Sequence, residues 1–318
     1  MKALRVNNRL VSVEEIGAPA TEGEALVRVT KSGICNTDLE IVRGYAGFAG
    51  TIGHEFVGVV EEPGDRAELT GKRVVGEINA GCGECELCVG GDPRHCPRRT
   101  VLGILGRDGA HAEFLTLPPR NLIPVPDNVS DDSAVFAEPL AAAYGIFERV
   151  PIDRETRVAV IGDGKLGLLC AMVMRLRSDS VMLVGKHIEK LAIAAKRDVE
   201  TVKLERVESL RRSFDVVVEA SGSESGFATA SDMVKTRGTI ILKSTFHGAT
   251  AWEASRFVVD ELSVVGSRCG RLAPALELLA SNQIRTDDLI SAGFKLEDGV
   301  DALEHAKKSG VLKVLLTP

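Results

Sequence analysis

From residue 1 to about residue 120, apolar positions alternate with polar ones or form short runs, separated by glycine- and proline-rich turns. Leu4, Val6, Leu10, Val11 and Val13 begin the pattern and residues 24–30, 54–62 and 72–78 continue it, which predicts an all-β unit. At residue 131 the spacing changes. Val135, Phe136, Leu140, Ala143, Ile146 and Phe147 recur at roughly helical intervals, predicting one or two helices over 131–150, entered from 124–130. After Thr156, strand patterns at 157–161, 181–184, 214–219, 239–242 and 261–266 are interleaved with helical ones at 166–177 and 189–197. Alternation of this kind predicts an α/β unit with a doubly wound parallel sheet. The tail, 271–318, carries helical patterns at 274–281 and 300–308 and a closing strand at 311–316, and can rejoin the first domain. The expected division is therefore 1–130 with 270–318, including a cysteine-rich lobe at 81–97, against 131–269 with its entry helix.

A length of 318 residues exceeds the usual single-domain size of about 100 to 200 and agrees with two domains. With 44% hydrophobic and 26% charged residues the composition is that of a soluble globular protein, and no run approaches the roughly 18 apolar residues of a membrane span. Residues 1–15 lack the apolar core and cleavage site of a secretory leader, so the expectation is a cytoplasmic protein with no membrane partner. A net charge of −6 argues against nucleic acid, whose phosphates select basic surfaces. Seven cysteines, four of them between residues 82 and 96, suggest metal thiolates more than disulfides in such a compartment.

Cys82, Cys85, Cys88 and Cys96 follow the spacing Cys-x2-Cys-x2-Cys-x7-Cys in one glycine-rich loop. Such a loop can wrap a tetrahedral ion and fill all four positions, which makes a structural zinc site; an iron–sulfur cluster, two disulfides or free thiols are the alternatives. Arg94, Arg98 and Arg99 lie beside the last ligand, where they can offset the negative charge of four thiolates. His95 is superfluous once four cysteines fill the tetrahedron.

The strand pattern at 157–161 leads into Gly162-Asp163-Gly164-Lys165-Leu166-Gly167, and an apolar helix follows. That context turns a weak glycine motif into a dinucleotide-binding loop: Gly162 permits the tight turn, Gly164 lets backbone approach a pyrophosphate, and Gly167 allows close helix packing. The second strand of such a fold ends in Asp or Glu when the adenosine ribose carries a free 2′-hydroxyl. Here it ends in Gly185, followed by Lys186, His187 and, one turn on, Lys190. Positive charge and space favour a 2′-phosphate, hence NADP over NAD, with Lys186 as an ordinary surface lysine the alternative.

Cys35-Asn36-Thr37-Asp38, Gly53-His54-Glu55 and Glu138-Pro139-Leu140 are too far apart for any spacing rule to join. Taken with the cysteine lobe and the glycine loop, however, they stand in the order found in the medium-chain dehydrogenase/reductase family, and the chain resembles its zinc-dependent alcohol and polyol dehydrogenases along essentially its whole length. The resemblance implies a GroES-like β catalytic domain, a Rossmann cofactor domain, and two zinc ions per chain, one catalytic and one structural. It also implies an alcohol or carbonyl substrate, with hydride passing between a zinc-bound alkoxide and the nicotinamide. Cys35 and His54 match catalytic zinc ligands; Glu138, in the Glu-Pro-Leu of the polyol branch, and Glu55 compete for the third place, Glu138 being taken first. Thr37 matches the hydroxyl that relays the substrate proton. Glu40 stands where the family often has the histidine ending that relay, the alternative being a solvated carboxylate on a helix face. Lys313 resembles the basic residue near the cofactor pyrophosphate, or else is a charged residue of an exposed terminal strand. Tyr45 and Phe48 either wall the substrate pocket or pack in the core, and Cys170 and Cys269 read as small buried side chains. The strand at 261–266 resembles the family's dimer-forming edge, implying a homodimer or homotetramer. Two alternatives stay open: an NAD-dependent simple alcohol dehydrogenase, and a non-catalytic dinucleotide-binding redox sensor on the same fold.

Overall fold

In the computed structural model, which describes residues 1–244 and 252–318, the period-2 pattern of the N-terminal part becomes a seven-stranded sheet. Its order is Leu122–Pro124, Arg73–Gly76, Glu55–Glu62, Ala25–Ile34, Lys313–Thr317 and Ile290–Lys295, with Phe114–Leu117 pairing off this path onto Ala25–Ile34. Ala25, Val27 and Val29 enter a core with Phe56, Val60, Val74 and Leu117, while Arg28 between them is exposed, as alternation on a pleated strand requires. A three-stranded sheet, Leu10–Glu15, Lys2–Asn7 and Gly50–Thr51, lies beside a second core in which Leu4 and Val6 meet Ile34, Ile52, Val314 and Leu316. Residues Met1–Glu138 and Leu272–Pro318 form this first unit. Its strand Ile290–Lys295 carries no clear apolar signal, because alternate positions are only half-buried.

The division between the two compact units falls after Glu138. Asp131, at the start of the helix Asp131–Ala134, accepts hydrogen bonds from Thr30 Oγ1 at 2.8 Å and Arg73 Nε at 3.1 Å, which ties that turn to the sheet. Ser130 caps it, its Oγ accepting from the Ser133 amide at 3.2 Å. The helical stretch expected over 131–150 is broken into Asp131–Ala134, Ala137–Tyr144 and a 3-10 turn at Gly145–Glu148.

The second unit, Pro139–Arg271, holds a six-stranded sheet in the order Glu200–Lys203, Ser180–Gly185, Arg157–Ile161, Phe214–Glu219, Val234–Leu242 and Ser263–Gly266. Every neighbouring pair is parallel. Numbered by chain order the strands run 3-2-1-4-5-6, the doubly wound arrangement whose direction reverses beside Arg157–Ile161. Buried on both faces, the central strands read as nearly continuous apolar runs. Glu200–Lys203 gave no such signal because it is an edge strand with polar, mostly exposed residues. Among the described residues no helix is long and apolar enough to cross a membrane.

Candidate metal centre and nucleotide loop

Strand register builds the first site. Gly33 pairs with Glu55 and Ile34 with Val314, so the end of Ala25–Ile34, the start of Glu55–Glu62 and the start of Lys313–Thr317 meet at one level of the sheet. Cys35 follows directly as the N-cap of the helix Asn36–Val42. The ligand atoms of Cys35, His54 and Glu55 lie within 4.8 Å of one another, the last two buried and Cys35 half-buried. Asp38, fully buried, organises them: its Oδ2 accepts from the Cys35 amide at 2.7 Å, its Oδ1 from the Gly53 amide at 3.2 Å, and its Oδ1 lies 3.4 Å from His54 Nδ1. That contact orients the imidazole and leaves Nε2 for a metal. Behind it His111 Nε2 stands 3.5 Å from Asp38 Oδ2, and its Nδ1 is 2.8 Å from Ser32 Oγ. Burial alone would raise the Asp38 pKa, but the imidazoles of His54 and His111 hold it well below the carboxylate range. Burial likewise works against a charged His54, yet Asp38 and Cys35 outweigh it and raise the imidazole well above its ordinary value. The group is built to hold positive charge, as a Zn²⁺ site must be.

The structure brings Glu55 into one group with Cys35 and His54. Glu55 Oε1 is buried without a hydrogen-bond partner, an orphan acceptor that a cation would satisfy. Its Oε2 is ion-paired with Lys313, which is fully buried with its ammonium 5.4 Å from the centre of the Phe136 ring. Lys313 is therefore not on an exposed strand, and its ammonium pairs with a carboxylate of the metal group. Gly33 makes room for the pair, since a Cβ there would sit 2.8 Å from Glu55 Oε2 and 2.6 Å from Val135 Cγ1. Glu138 is half-buried close by, and desolvation, with Glu55 and Glu77 against the opposing pull of His54 and Lys313, pushes its pKa up to about 7.

Thr37 Oγ1 lies 3.7 Å from Cys35 Sγ. Glu40, half-buried, pairs with Arg43 one turn along the same helix at 2.6 Å. Tyr45 and Phe48 pack against the second core, and Phe48 also lines a cavity of about 410 Å³ with Ile104 and Arg107. Asp38 stood in a motif already noted, without a role; His111 had no spacing signal at all.

In the lobe the four thiols lie within 4.8 Å of one another. Cys82 and Cys88 sulfurs are 4.0 Å apart and those of Cys85 and Cys96 3.6 Å, bracketing the edge of about 3.8 Å that a tetrahedron with zinc–sulfur bonds of about 2.3 Å demands. No disulfide links any of the seven cysteines. Arg98 supplies the offsetting charge directly, its Nη2 reaching Cys82 Sγ at 3.3 Å and its amide Cys96 Sγ at 3.3 Å, while Arg94 and the exposed His95 turn to Asp92. The backbone N–H of Glu84 leads the contacts that bring the Cys82 thiol down to about 6. Cys170 is buried, which pushes its thiol up to about 11; Cys269, expected to be buried, is only partly so.

In the second unit the glycine loop leaves the strand Arg157–Ile161 and opens the helix Lys165–Arg175. Gly162 has a φ of 112°, and a Cβ there would meet Ala220 O at 2.6 Å. At Gly164 a Cβ would meet nothing within 4 Å, so backbone lies open in front of the helix amides, a cradle that fits a pyrophosphate. Lys165 and Leu166 are half-buried on the first turn. A Cβ on Gly167 would stand 1.8 Å from Gly162 O. Gly167→Ala should therefore cost about 1–3 kcal/mol by overpacking and weaken dinucleotide binding with it; an unchanged urea midpoint would contradict this.

The end of the second strand differs from expectation. The space at Gly185 is filled by the Asp163 carboxylate, whose Oδ2 accepts from the amides of Lys186 at 2.6 Å and His187 at 2.7 Å. Lys186 is exposed, His187 is drawn onto Asp163, and Lys190 is buried.

Comparison with known proteins adds three results. A family model described as the alcohol dehydrogenase GroES-like domain matches residues 21–127. A sorbitol dehydrogenase of Halalkalibacterium halodurans is 30% identical over 92% of this chain and 91% of its own length, and D-arabinitol dehydrogenase 1 of Uromyces fabae is 28% identical over 93% and 90%. The solved alcohol dehydrogenase of Thermus sp. ATN1 superposes with a TM-score of 0.91 at 29% identity, covering 100% of this chain and 99% of that one.

Proposed function

Because this chain belongs to the medium-chain dehydrogenase/reductase family, we propose that it oxidises a polyol, sugar or secondary alcohol, or reduces the matching carbonyl, with NADP in preference to NAD. Its GroES-like domain and doubly wound Rossmann sheet are those implied by the sequence. Two separate metal-binding groups and this family support zinc-dependent oxidoreductase chemistry on CH–OH substrates.

The observation that carries the reading is the group Cys35, His54 and Glu55. One thiolate, one neutral imidazole and one carboxylate balance a Zn²⁺ and leave a fourth position open, which a structural site never does. Bound there, zinc supplies Lewis acidity toward a hydroxyl or carbonyl oxygen, and a nicotinamide dinucleotide supplies or accepts the hydride. Asp38 orients the His54 ring and fixes the Cys35 backbone. Lys313 pairs with the Glu55 carboxylate and aims it. Thr37, two residues after Cys35 in the same segment, passes a proton between substrate oxygen and solvent. The Gly162–Gly167 loop and the amides of Lys165 and Leu166 bind the cofactor pyrophosphate. Exposed Lys186 supports the NADP preference. Glu138 in Glu-Pro-Leu, with relatives named for sorbitol and D-arabinitol, supports the polyol branch over simple alcohols.

The sheet of the second unit ends in Ser263–Gly266, and Val258, Val259 and Val264 close to that edge are exposed. An uncovered edge beside apolar side chains supports a homodimer or homotetramer.

Purified protein should contain two zinc ions per chain by elemental analysis, and should turn over at least one member of a panel of alcohols, polyols and sugars with NADP or NAD. One zinc per chain, or two zincs with no turnover across the whole panel, would falsify the reading.

A further inference from the structure

We propose that Asp163, carried by the glycine loop, sets the cofactor preference of this protein by standing in for the acid that usually ends the second strand of a nucleotide-binding sheet. The inference rests on the dinucleotide reading above. In such sheets a carboxylate at that strand end receives the adenosine 2′-hydroxyl, and its charge repels a 2′-phosphate. This chain has Gly185 there, yet the carboxylate is present, delivered from the neighbouring strand's loop. Asp163 Oδ2 holds the amides of Lys186 and His187, and both its oxygens lie 3.1 Å from His187 Nδ1. A Cβ on residue 185 would lie 2.5 Å from that Oδ2. Gly185 is thus the counterpart of Asp163, and not a vacancy for phosphate.

Two consequences follow from the chemistry. A carboxylate offers about four acceptor sites, of which two amides and one imidazole take three, leaving capacity for a ribose hydroxyl. The amides of Lys186 and His187, which open the helix Ile188–Ala195 and are otherwise suited to a phosphate, are already bound to an anion. Set against this charge are Lys186 and Lys203, both exposed, the latter paired in register with Gly185 on the adjoining edge strand, and Arg206 on the next turn. Lys203 and Arg206 line a cavity of about 380 Å³ with Ile188 and Leu191. The strand end therefore opposes one buried anion to a rim of cations, and the anion restrains a preference for NADP that the cations would otherwise make strong.

The test is the ratio of NADPH to NADH affinity, measured by fluorescence titration and independent of turnover. Asp163→Asn keeps shape and an acceptor oxygen while removing the charge, and should raise that ratio fivefold or more, chiefly by tightening NADPH. A smaller change, with both cofactors bound, overturns the proposal, because a merely structural role would weaken both alike. Should Asp163→Asn fail to melt cooperatively, the exposed Lys203→Gln decides: it should lower the ratio at least threefold, and an unmoved ratio places the 2′ position elsewhere and overturns the proposal. If wild-type protein binds neither dinucleotide, the dinucleotide reading itself falls and this inference with it.

Discussion

Replacing Cys35 by alanine should reduce turnover about a thousandfold or more, equivalent to about 4 kcal/mol of lost transition-state stabilisation, while zinc content falls from two ions per chain to one. The reason is the geometry of the group. With the thiolate gone, His54 and Glu55 alone are left to hold the ion, and Glu55 already shares its charge with Lys313. The fold should survive, since Cys35 is half-buried at a helix N-cap and its amide still reaches Asp38. Zinc analysis, circular dichroism and a turnover assay on one preparation test the three parts together. Retained activity would remove Cys35 from the chemistry, and a collapsed fold would make it structural.

The other large effect is expected at Lys313. Lys313→Met preserves much of the side-chain length and removes the charge, leaving Glu55 buried without its cation, which should cost about 3–5 kcal/mol in urea unfolding. Adding Glu55→Gln should restore part of that loss, because a neutral amide tolerates the site better than an unpaired carboxylate. If the single variant unfolds at the wild-type midpoint, the ammonium is not what keeps Glu55 in place.

How legible the molecule is in its sequence depends on how local each feature is. Arg157–Ile161 and Phe214–Glu219 emerge from the apolar pattern with their exact bounds because both faces of each strand are buried. Glu200–Lys203 stays hidden, since an edge strand needs no apolar face. The cysteine lobe can be read by spacing because all four ligands come from one loop. Cys35, His54 and Glu55 can be joined only through resemblance, since what unites them is the pairing of Gly33 with Glu55, a fact of register and not of spacing. The same limit hides Lys313, whose partner lies on a strand remote in sequence, and Asp163, whose carboxylate crosses from one strand end to the next.

The position of Lys313–Thr317 between Ala25–Ile34 and Ile290–Lys295 also orders the events of synthesis. Ile34 emerges early from the ribosome but waits for Val314, with the whole of Pro139–Arg271 made in between. The nucleotide-binding unit, contiguous in the chain, can fold during that interval, whereas the first sheet closes late, after a long loop has been spanned. The cysteine lobe can take up its metal as soon as residue 96 is free, but Glu55 gains its lysine only when the sheet closes. Structural zinc should therefore be loaded ahead of catalytic zinc, so a growing chain short of zinc would commit its supply to scaffold before catalysis.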